Sequence, residues 1–315
     1  MHPALIISLS IILGLVLLYL LISLFVYIVI FYSPNKQQKK GGDYPDDPLY
    51  SGTYDAVRGL IDTLKKEPCE EVFIKSFDKK ILRGRYYHHK DNAPIALCFH
   101  GYRGTPIRDF CGGYQIMKSM GINVLLVDER AHLKSQGHTI TFGVKESKDA
   151  LSWINYVNNR FIDAKIILVG ISMGGYIVGN VIMNNDDLKN VKGAIMDCPF
   201  YSPKEILKTS CVRDVHIPWW IGFPLLATAS NIYGHFSFTK KKDNLRGKKS
   251  FVKFMVIHGD KDSIVPVEFS EYLMEKNPEM KRYLFEGADH GLSYLIDPNK
   301  YQEYCVNFVN ECLND

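Results

Sequence analysis

Residues 165–183 read KIILVGISMGGYIVGNVIM. An apolar run rich in β-branched residues, Lys165–Val169, stops at Gly170, and Ser172, Gly174 and Gly175 follow in quick succession. A short apolar run bounded by glycine reads as a strand buried on both faces. The stretch after the glycines, YIVGNVIM, suits a helix. A helix that starts directly after such a strand demands a sharp corner, and the residues two places either side of that corner must be small for strand and helix to approach. Gly170-x-Ser172-x-Gly174 is the pattern in which a serine rides the corner with its hydroxyl above the end of the sheet. An ordinary tight turn is the alternative, and the rest of the chain has to decide between them.

The remaining pattern alternates. Strand-like runs fall at Val72–Phe77, Ile81–Tyr87, Ile95–Phe99, Asn123–Val127, Lys165–Val169, Val191–Met196, Phe251–Ile257 and Arg282–Phe285. Helical spacing appears over 54–64, with Val57, Leu60, Ile61 and Leu64, and over 143–161, with Val144, Leu151, Ile154, Val157 and Phe161 on one stripe. Strands separated by helices predict an α/β fold, a mostly parallel sheet of about eight strands with helices on both faces. The first two runs stand close together, which suggests an antiparallel start. A chain of 315 residues has room for one large domain of this kind. In such sheets ligands sit at the carboxyl ends of the strands, where the unusual residues of this chain fall.

A serine hydroxyl needs a base to take its proton, and the base needs an acid to orient it. In this architecture they follow in the order serine, acid, histidine. Of ten histidines, one lies beyond the Phe251–Ile257 run and its loop: His290, in GADHGLSY. The loop HGDKDSIVP offers Asp260 and Asp262. Asp262 is preferred as the acid, with Asp260 supporting the turn and Asp197, in MDCPF, a third candidate. An oxyanion hole needs two backbone N–H groups. Met173, directly after the serine, supplies one. Tyr102, in the loop HGYRGT after the Ile95–Phe99 run, is chosen for the second because Gly101 lets the backbone come close.

Taken in order, HGYRGT, DERAHLKSQG, GISMGG, HGDKDSIVP and GADHGLSY resemble the marks of the α/β-hydrolase superfamily. The likeness is nearest to membrane-anchored or exported bacterial hydrolases related to the serine aminopeptidase and monoacylglycerol-lipase group, and it covers about residues 65–315. It implies an α/β-hydrolase fold, a Ser172–Asp262–His290 triad, and no cofactor or metal. Relatives usually carry glycine after the histidine of the DxRxHGxS loop, where this chain has Leu133. That loop is read as structural, with Asp128 and Arg130 pairing with each other or with the backbone.

Ahead of this body, Ala4–Tyr32 contains no charged residue over 29 positions. As a helix it would span about 43 Å, more than the ~30 Å hydrocarbon core, so a tilted transmembrane anchor is predicted over residues 1–34, with Tyr27, Phe31 and Tyr32 near one interface. A cleaved signal peptide fits less well, because no Lys or Arg precedes the run and no small-residue cleavage pattern follows it. Lys36, Lys39 and Lys40 all come after it, which favours a single-pass protein with its catalytic domain in the cytoplasm. A Gly/Pro-rich linker over 35–53 is expected to let few contacts cross to the body at 54–315.

More than fifty residues separate Met196 from Phe251, enough for a cap inserted at about 199–248. Its segment HIPWWIGFPLLATASNIYGHFSF either lines an apolar acyl pocket or packs the cap down. The basic run at 239–249 reads as a solvated loop or a contact with an anionic membrane surface. Net charge of +4 gives no reason to expect nucleic acid. Seven cysteines without a Cys-x-x-Cys pair suggest neither a disulfide framework nor a zinc site, and Cys98 and Cys198 read as small buried hydrophobes. The activity expected is that of a carboxylesterase- or lipase-like serine hydrolase acting through an acyl-enzyme on a small, apolar acyl substrate. A serine aminopeptidase or amidase, or a membrane-tethered binding module without catalysis, are the alternatives. A peptidase of the prolyl-oligopeptidase type, gated by a large extra domain, is not expected, because it would need more than the roughly sixty residues between the apolar run and HGYRGT. Nothing in the sequence speaks to oligomeric state.

Overall fold

A computed structural model describes residues 3–33, 42–45 and 48–314. Eight strands form one sheet: β1 Glu70–Lys75, β2 Ile81–Tyr87, β3 Ile95–Phe99, β4 Asn123–Val127, β5 Ile166–Ile171, β6 Val191–Asp197, β7 Phe254–Gly259 and β8 Lys281–Phe285. Their spatial order is β1-β2-β4-β3-β5-β6-β7-β8. The pairs β1/β2 and β2/β4 are antiparallel and the rest are parallel. The helices are α1 Pro3–Val26, α2 Tyr54–Lys66, α3 Pro106–Ser119, α4 Glu146–Arg160, α5 Met173–Asn184, α6 Pro203–Thr209, α7 Trp219–Thr228, α8 Glu268–Met274, α9 Ser293–Ile296 and α10 Pro298–Asn314.

Strand periodicity explains why both faces are covered. Along β3, Leu97 and Phe99 join one core with Trp153 and Val157 of α4 and Ile177 and Val181 of α5. Ala96 and Cys98, pointing the other way, join a second core with Ile61 of α2, Phe110 and Met117 of α3 and Phe308 of α10. Alternate residues thus bury themselves against different helices, which is why the runs read as continuously apolar. Strand ends shift from the sequence expectation where pairing decides them. β1 begins at Glu70 because Glu70 lies opposite Tyr86, and β7 begins only at Phe254, opposite Ala194.

Asp128 and Arg130 do not pair with each other, contrary to one reading of the sequence. Asp128 takes Arg83 at 3.0 Å and Arg85 at 2.9 Å, while Arg130 takes Asp149 at 2.6 Å and Asp78 at 3.1 Å. Both are almost fully buried, so each needed its own counter-charge, and neighbours in a turn point to different partners.

Pro3–Phe31 is continuous helix, long and apolar enough to cross a membrane, a property that signal sequences share. Its end does not run free of the body. Phe31 lies in the first core, edge-on to Phe142 and Phe236. The Ser33 hydroxyl donates to the Ala131 carbonyl at 2.7 Å. Contacts therefore cross where few were expected. Lys36, Lys39 and Lys40, and most of the linker, fall at 34–41 and 46–47, outside the described residues. In the inserted segment after β6, Leu226 of α7 and Phe236 and Phe238 beyond it also join the first core.

Candidate active site

Ser172 sits between the end of β5 and the start of α5 with φ 55° and ψ −112°, a backbone region that costs a non-glycine residue about 1–3 kcal/mol. The corner is held by the Ser172 N–H donating to the Asp197 carbonyl at 2.8 Å and by Tyr176 N–H donating to the Ser172 carbonyl at 3.0 Å. A Cβ on Gly174 would collide with the Phe99 carbonyl, and one on Gly170 with the backbone of Gly174. Strand and helix can meet here because neither position has a side chain.

His290 lies in the loop after β8. Its Nε2 is 2.9 Å from Ser172 Oγ, and its Nδ1 is 2.8 Å from Asp262 Oδ2. Asp289 holds that loop against the one after β7, accepting from the N–H of Ser263 at 2.7 Å and of His290 at 2.6 Å. Of the three candidate acids, the fold brings Asp262 to the imidazole. Asp260 accepts from Gly287 N–H at 2.7 Å and so ties the turn, while Asp197 accepts from the Tyr301 hydroxyl at 3.0 Å.

Asp262 is saturated. Its Oδ1 accepts from Ile264 N–H at 2.9 Å and Val265 N–H at 2.7 Å; its Oδ2 accepts from His290 and from His258 Nε2 at 3.1 Å. Burial disfavours the charged carboxylate, but the bonds from His258 and His290 outweigh it and hold the group well below the usual carboxylate range. Asp197, with one phenolic donor, is pushed by burial up to about 6.

The loop HGYRGT passes beside the serine: a Cβ on Gly101 would touch Ser172 Cβ at 3.5 Å. Gly101 N–H donates to Asp109 Oδ2 at 2.8 Å. The Tyr102 ring stacks on Phe142 at 4.8 Å. Among the described residues the Tyr102 N–H has no acceptor. Met173 is the first residue of α5, where a helix leaves its N–H groups unpaired.

Ser172 and His290 stand at the edge of a cavity of about 330 Å³. Cys98, Val169 and Ile195 of the sheet, Phe110 of α3 and Tyr294 of α9 form its apolar wall, and Tyr102, Arg103 and Asp109 also border it. These strand residues face the second core, whereas the inserted segment packs with the first. No residue of 199–248 borders the cavity, so that segment packs rather than lines it.

Two groups of side chains have the composition of a metal site. In the first, His100 Nδ1 donates to the Gly101 carbonyl and Nε2 accepts from Glu129 N–H, while His132 Nδ1 donates to the Arg130 carbonyl and Nε2 accepts from Arg103 N–H. Both imidazoles have spent both nitrogens, which makes them a clamp between two loops. The second group is Cys198 with Asp262 and His290 themselves. Cys198 Sγ lies 3.9 Å from His290 Nε2, and burial pushes its thiol well up, so it stays neutral there.

Sequence reasoning missed His258 and Cys198. His258 had a signal, an i,i+4 spacing to Asp262 across the turn that ends β7. Cys198 had none, since a buried cysteine after a strand reads the same with or without a histidine beside it.

Similar proteins share this framework. The uncharacterized protein YqkD of Bacillus subtilis (strain 168) is 25% identical over 198 residues, 62% of this chain and 64% of that protein. YfhR of Escherichia coli (strain K12) is 26% identical over 196 residues, 61% of this chain and 62% of YfhR. The chain thus spans just under two thirds of these curated relatives. Among solved structures, the Pyrococcus furiosus esterase Pf2001 superposes with a TM-score of 0.62 at 20% identity, over 81% of this chain and 94% of that one. An α/β serine hydrolase homologue from Coxiella burnetii gives 0.52 at 18% identity, over 76% and 96%. These likenesses carry the fold. The profile of the prolyl oligopeptidase family matches residues 113–315, which hold the serine corner and both loops that meet at it. The chain is a member of the α/β-hydrolase superfamily and belongs to the prolyl oligopeptidase family.

Proposed function

We propose that the protein is a membrane-anchored serine hydrolase that cleaves acyl esters, with Ser172 as nucleophile, His290 as base and Asp262 as orienting acid. The observation that carries this reading is the unbroken series Ser172 Oγ–His290 Nε2–Asp262 Oδ2 at 2.9 and 2.8 Å, opening on an apolar cavity. Ionised Asp262 takes the Nδ1–H of His290, which leaves the Nε2 lone pair facing the serine. His290 accepts the Ser172 proton as Oγ attacks the ester carbonyl. The N–H groups of Met173 and Tyr102 receive the oxyanion. The intermediate collapses, His290 returns the proton to the leaving alcohol, and Ser172 keeps the acyl group. Water activated by His290 then releases the acid and restores Ser172.

The cavity lies at the small end of the range for ligand sites, which favours a short or medium apolar acyl group. An aminopeptidase would need a free carboxylate for the substrate ammonium. Of the acids bordering the cavity, Asp109 is engaged by Arg108 and Gly101 N–H and Asp197 Oδ2 by Tyr301, so a substrate ammonium would meet only the single buried oxygen Asp197 Oδ1, which favours esters over aminoacyl amides. Phe31 inside the core favours an anchor that is retained, and the lysines after it favour a cytoplasmic body.

A fluorophosphonate probe should label the full-length wild type and leave Ser172→Ala unlabelled; equal labelling would sink the assignment. A panel of acyl esters against aminoacyl amides tests the substrate class. Protease protection in intact cells tests orientation.

A further inference from the structure

We propose that the amino-terminal tip of α7, Trp219–Ile221, is seated in the lipid bilayer beside α1, so that the inserted segment is a second membrane contact. The inference rests on reading α1 as a retained anchor.

The lengths point to it first. Residues 3–18 of α1 are exposed on every side. That free portion is about 24 Å long, short of the ~30 Å a hydrocarbon core requires. The candidate span continues beyond it to Phe31, into the part of α1 already docked on the body. Protein contact begins at Tyr19, whose hydroxyl donates to the Pro224 carbonyl at 2.8 Å and lies 2.8 Å from Thr228 Oγ1. The first docked turn therefore enters the bilayer with α7 against it.

The direction of α7 then fixes which end goes deeper. Tyr19 meets Pro224 and Thr228, the Leu20 carbonyl accepts from the Tyr233 hydroxyl at 3.0 Å, and Phe31 meets Phe236 at 5.3 Å. Numbers rise together, so α7 and its continuation run the same way as α1. Trp220 stands one turn before Pro224 on the same stripe, about 6 Å nearer the free portion of α1.

The chemistry of the tip agrees. Trp220 is 77% exposed and Ile221 39%, although Trp219 and Phe223 pack together at 5.3 Å. No charged residue occurs from Val215 to Thr239. Exposed apolar surface of this kind marks an interaction site, and tryptophan favours the boundary between hydrocarbon and headgroups. Water does not reward this surface, and the anchor alongside delivers it to lipid.

The test uses the full chain in phosphatidylcholine vesicles brominated along the acyl chains. Wild type is compared with the Trp219→Phe/Trp220→Phe double variant; Trp153, buried in the core, stays in both. A Leu13→Trp substitution in the double variant reports on the anchor itself. Bromolipid should quench the emission that distinguishes wild type from the double variant, and aqueous acrylamide should not. If Leu13→Trp is quenched while the Trp219/Trp220 emission yields to acrylamide and not to bromolipid, the tip stands in water and the proposal falls alone. Emission shielded from both quenchers would mean that protein covers the tip, as in a second copy of this chain, and would overturn it too. If Leu13→Trp itself escapes bromolipid, the anchor reading fails and this inference with it.

Discussion

The Tyr102 hydroxyl donates to the Ile30 carbonyl at 2.6 Å, tying the loop beside Ser172 to the last turn of the apolar helix. Arg103, next along that loop, donates to the Val29 carbonyl at 2.6 Å. That turn, Tyr27–Phe31, is π-helical, and Phe31 beneath it is fully buried against Phe142, on which Tyr102 stacks. A tether would leave the body indifferent to its removal; this geometry does not. Phe31→Ala should cost about 3–5 kcal/mol of stability, the usual effect of emptying a buried phenylalanine site. A chain starting at Ser33 should lose at least as much and react more slowly with a fluorophosphonate. Thermal unfolding in detergent measures the first effect and labelling rate the second. A wild-type melting temperature for the shortened chain would show that the helix only locates the enzyme.

Four N–H groups converge on Asp262, and two of them come from histidines. Asp262→Asn should lower kcat by about 10³-fold or more, since the amide cannot hold His290 in the required tautomer. Asp260→Asn should matter far less, because that carboxylate only caps Gly287 N–H. His258→Leu removes one charge-assisted bond worth about 1.5–3 kcal/mol. If His258 positions the acid, kcat should fall about 10- to 100-fold with KM little changed. A KM effect without a kcat effect would mean that His258 shapes the pocket instead.

Glu129 carries a pH dependence. It is 4% exposed and neither carboxylate oxygen has a partner among the described residues. Burial, reinforced by Glu146, Asp109 and Asp149, raises its pKa well above 4.5. Above that ordinary value the unfolded chain gives up its proton while the folded chain retains it. The stability linked to Glu129 is therefore full below about pH 4.5 and is lost as pH rises through the elevated native value. Glu129→Gln removes the titration. Its melting temperature relative to wild type should rise as pH increases above about 4.5. A difference that stays constant with pH would mean the carboxylate has a charged partner in solution.

Much of this is legible in the sequence alone. Ser172, Asp262 and His290, which the fold brings together, stood out in the sequence because chain order and strand ends leave few candidates, and each strand carried its own apolar run. What stayed hidden depends on distant residues meeting. Nothing in HIPWWIGFPLLATASNIYGHFSF says whether its aromatics face a pocket or another helix; that follows from Tyr19 meeting Pro224, 205 positions apart. Asp128 and Arg130 were adjacent enough to suggest a pair, yet Arg83 and Asp149, invisible as partners in the sequence, claimed them. A linker rich in glycine and proline suggested independence between helix and body, but Phe31 precedes it and belongs to the core.

Leu133 occupies the position where the resembling family has glycine, and its φ is 46°. Left-handed backbone clashes with a Cβ, at a cost of about 1–2 kcal/mol. This residue therefore keeps a conformation that suits glycine, in the turn just after His132, whose Nε2 accepts the Arg103 N–H at 3.1 Å. The prediction compares two replacements. Leu133→Ala and Leu133→Gly both discard the half-buried leucine side chain, so that loss cancels between them. Alanine retains the clashing Cβ and glycine does not. In a helix or strand alanine would be the more stable; here glycine should exceed it by about 1 kcal/mol, even after the greater freedom glycine gives the unfolded chain. For a domain of this size that is a melting temperature about 2–4 °C higher for the glycine variant. Thermal unfolding of the two variants side by side gives the sign. Alanine at or above glycine would mean that the turn relaxes out of the left-handed region in solution, and that the grip of His132 on the loop beside Ser172 is looser than the 3.1 Å contact implies.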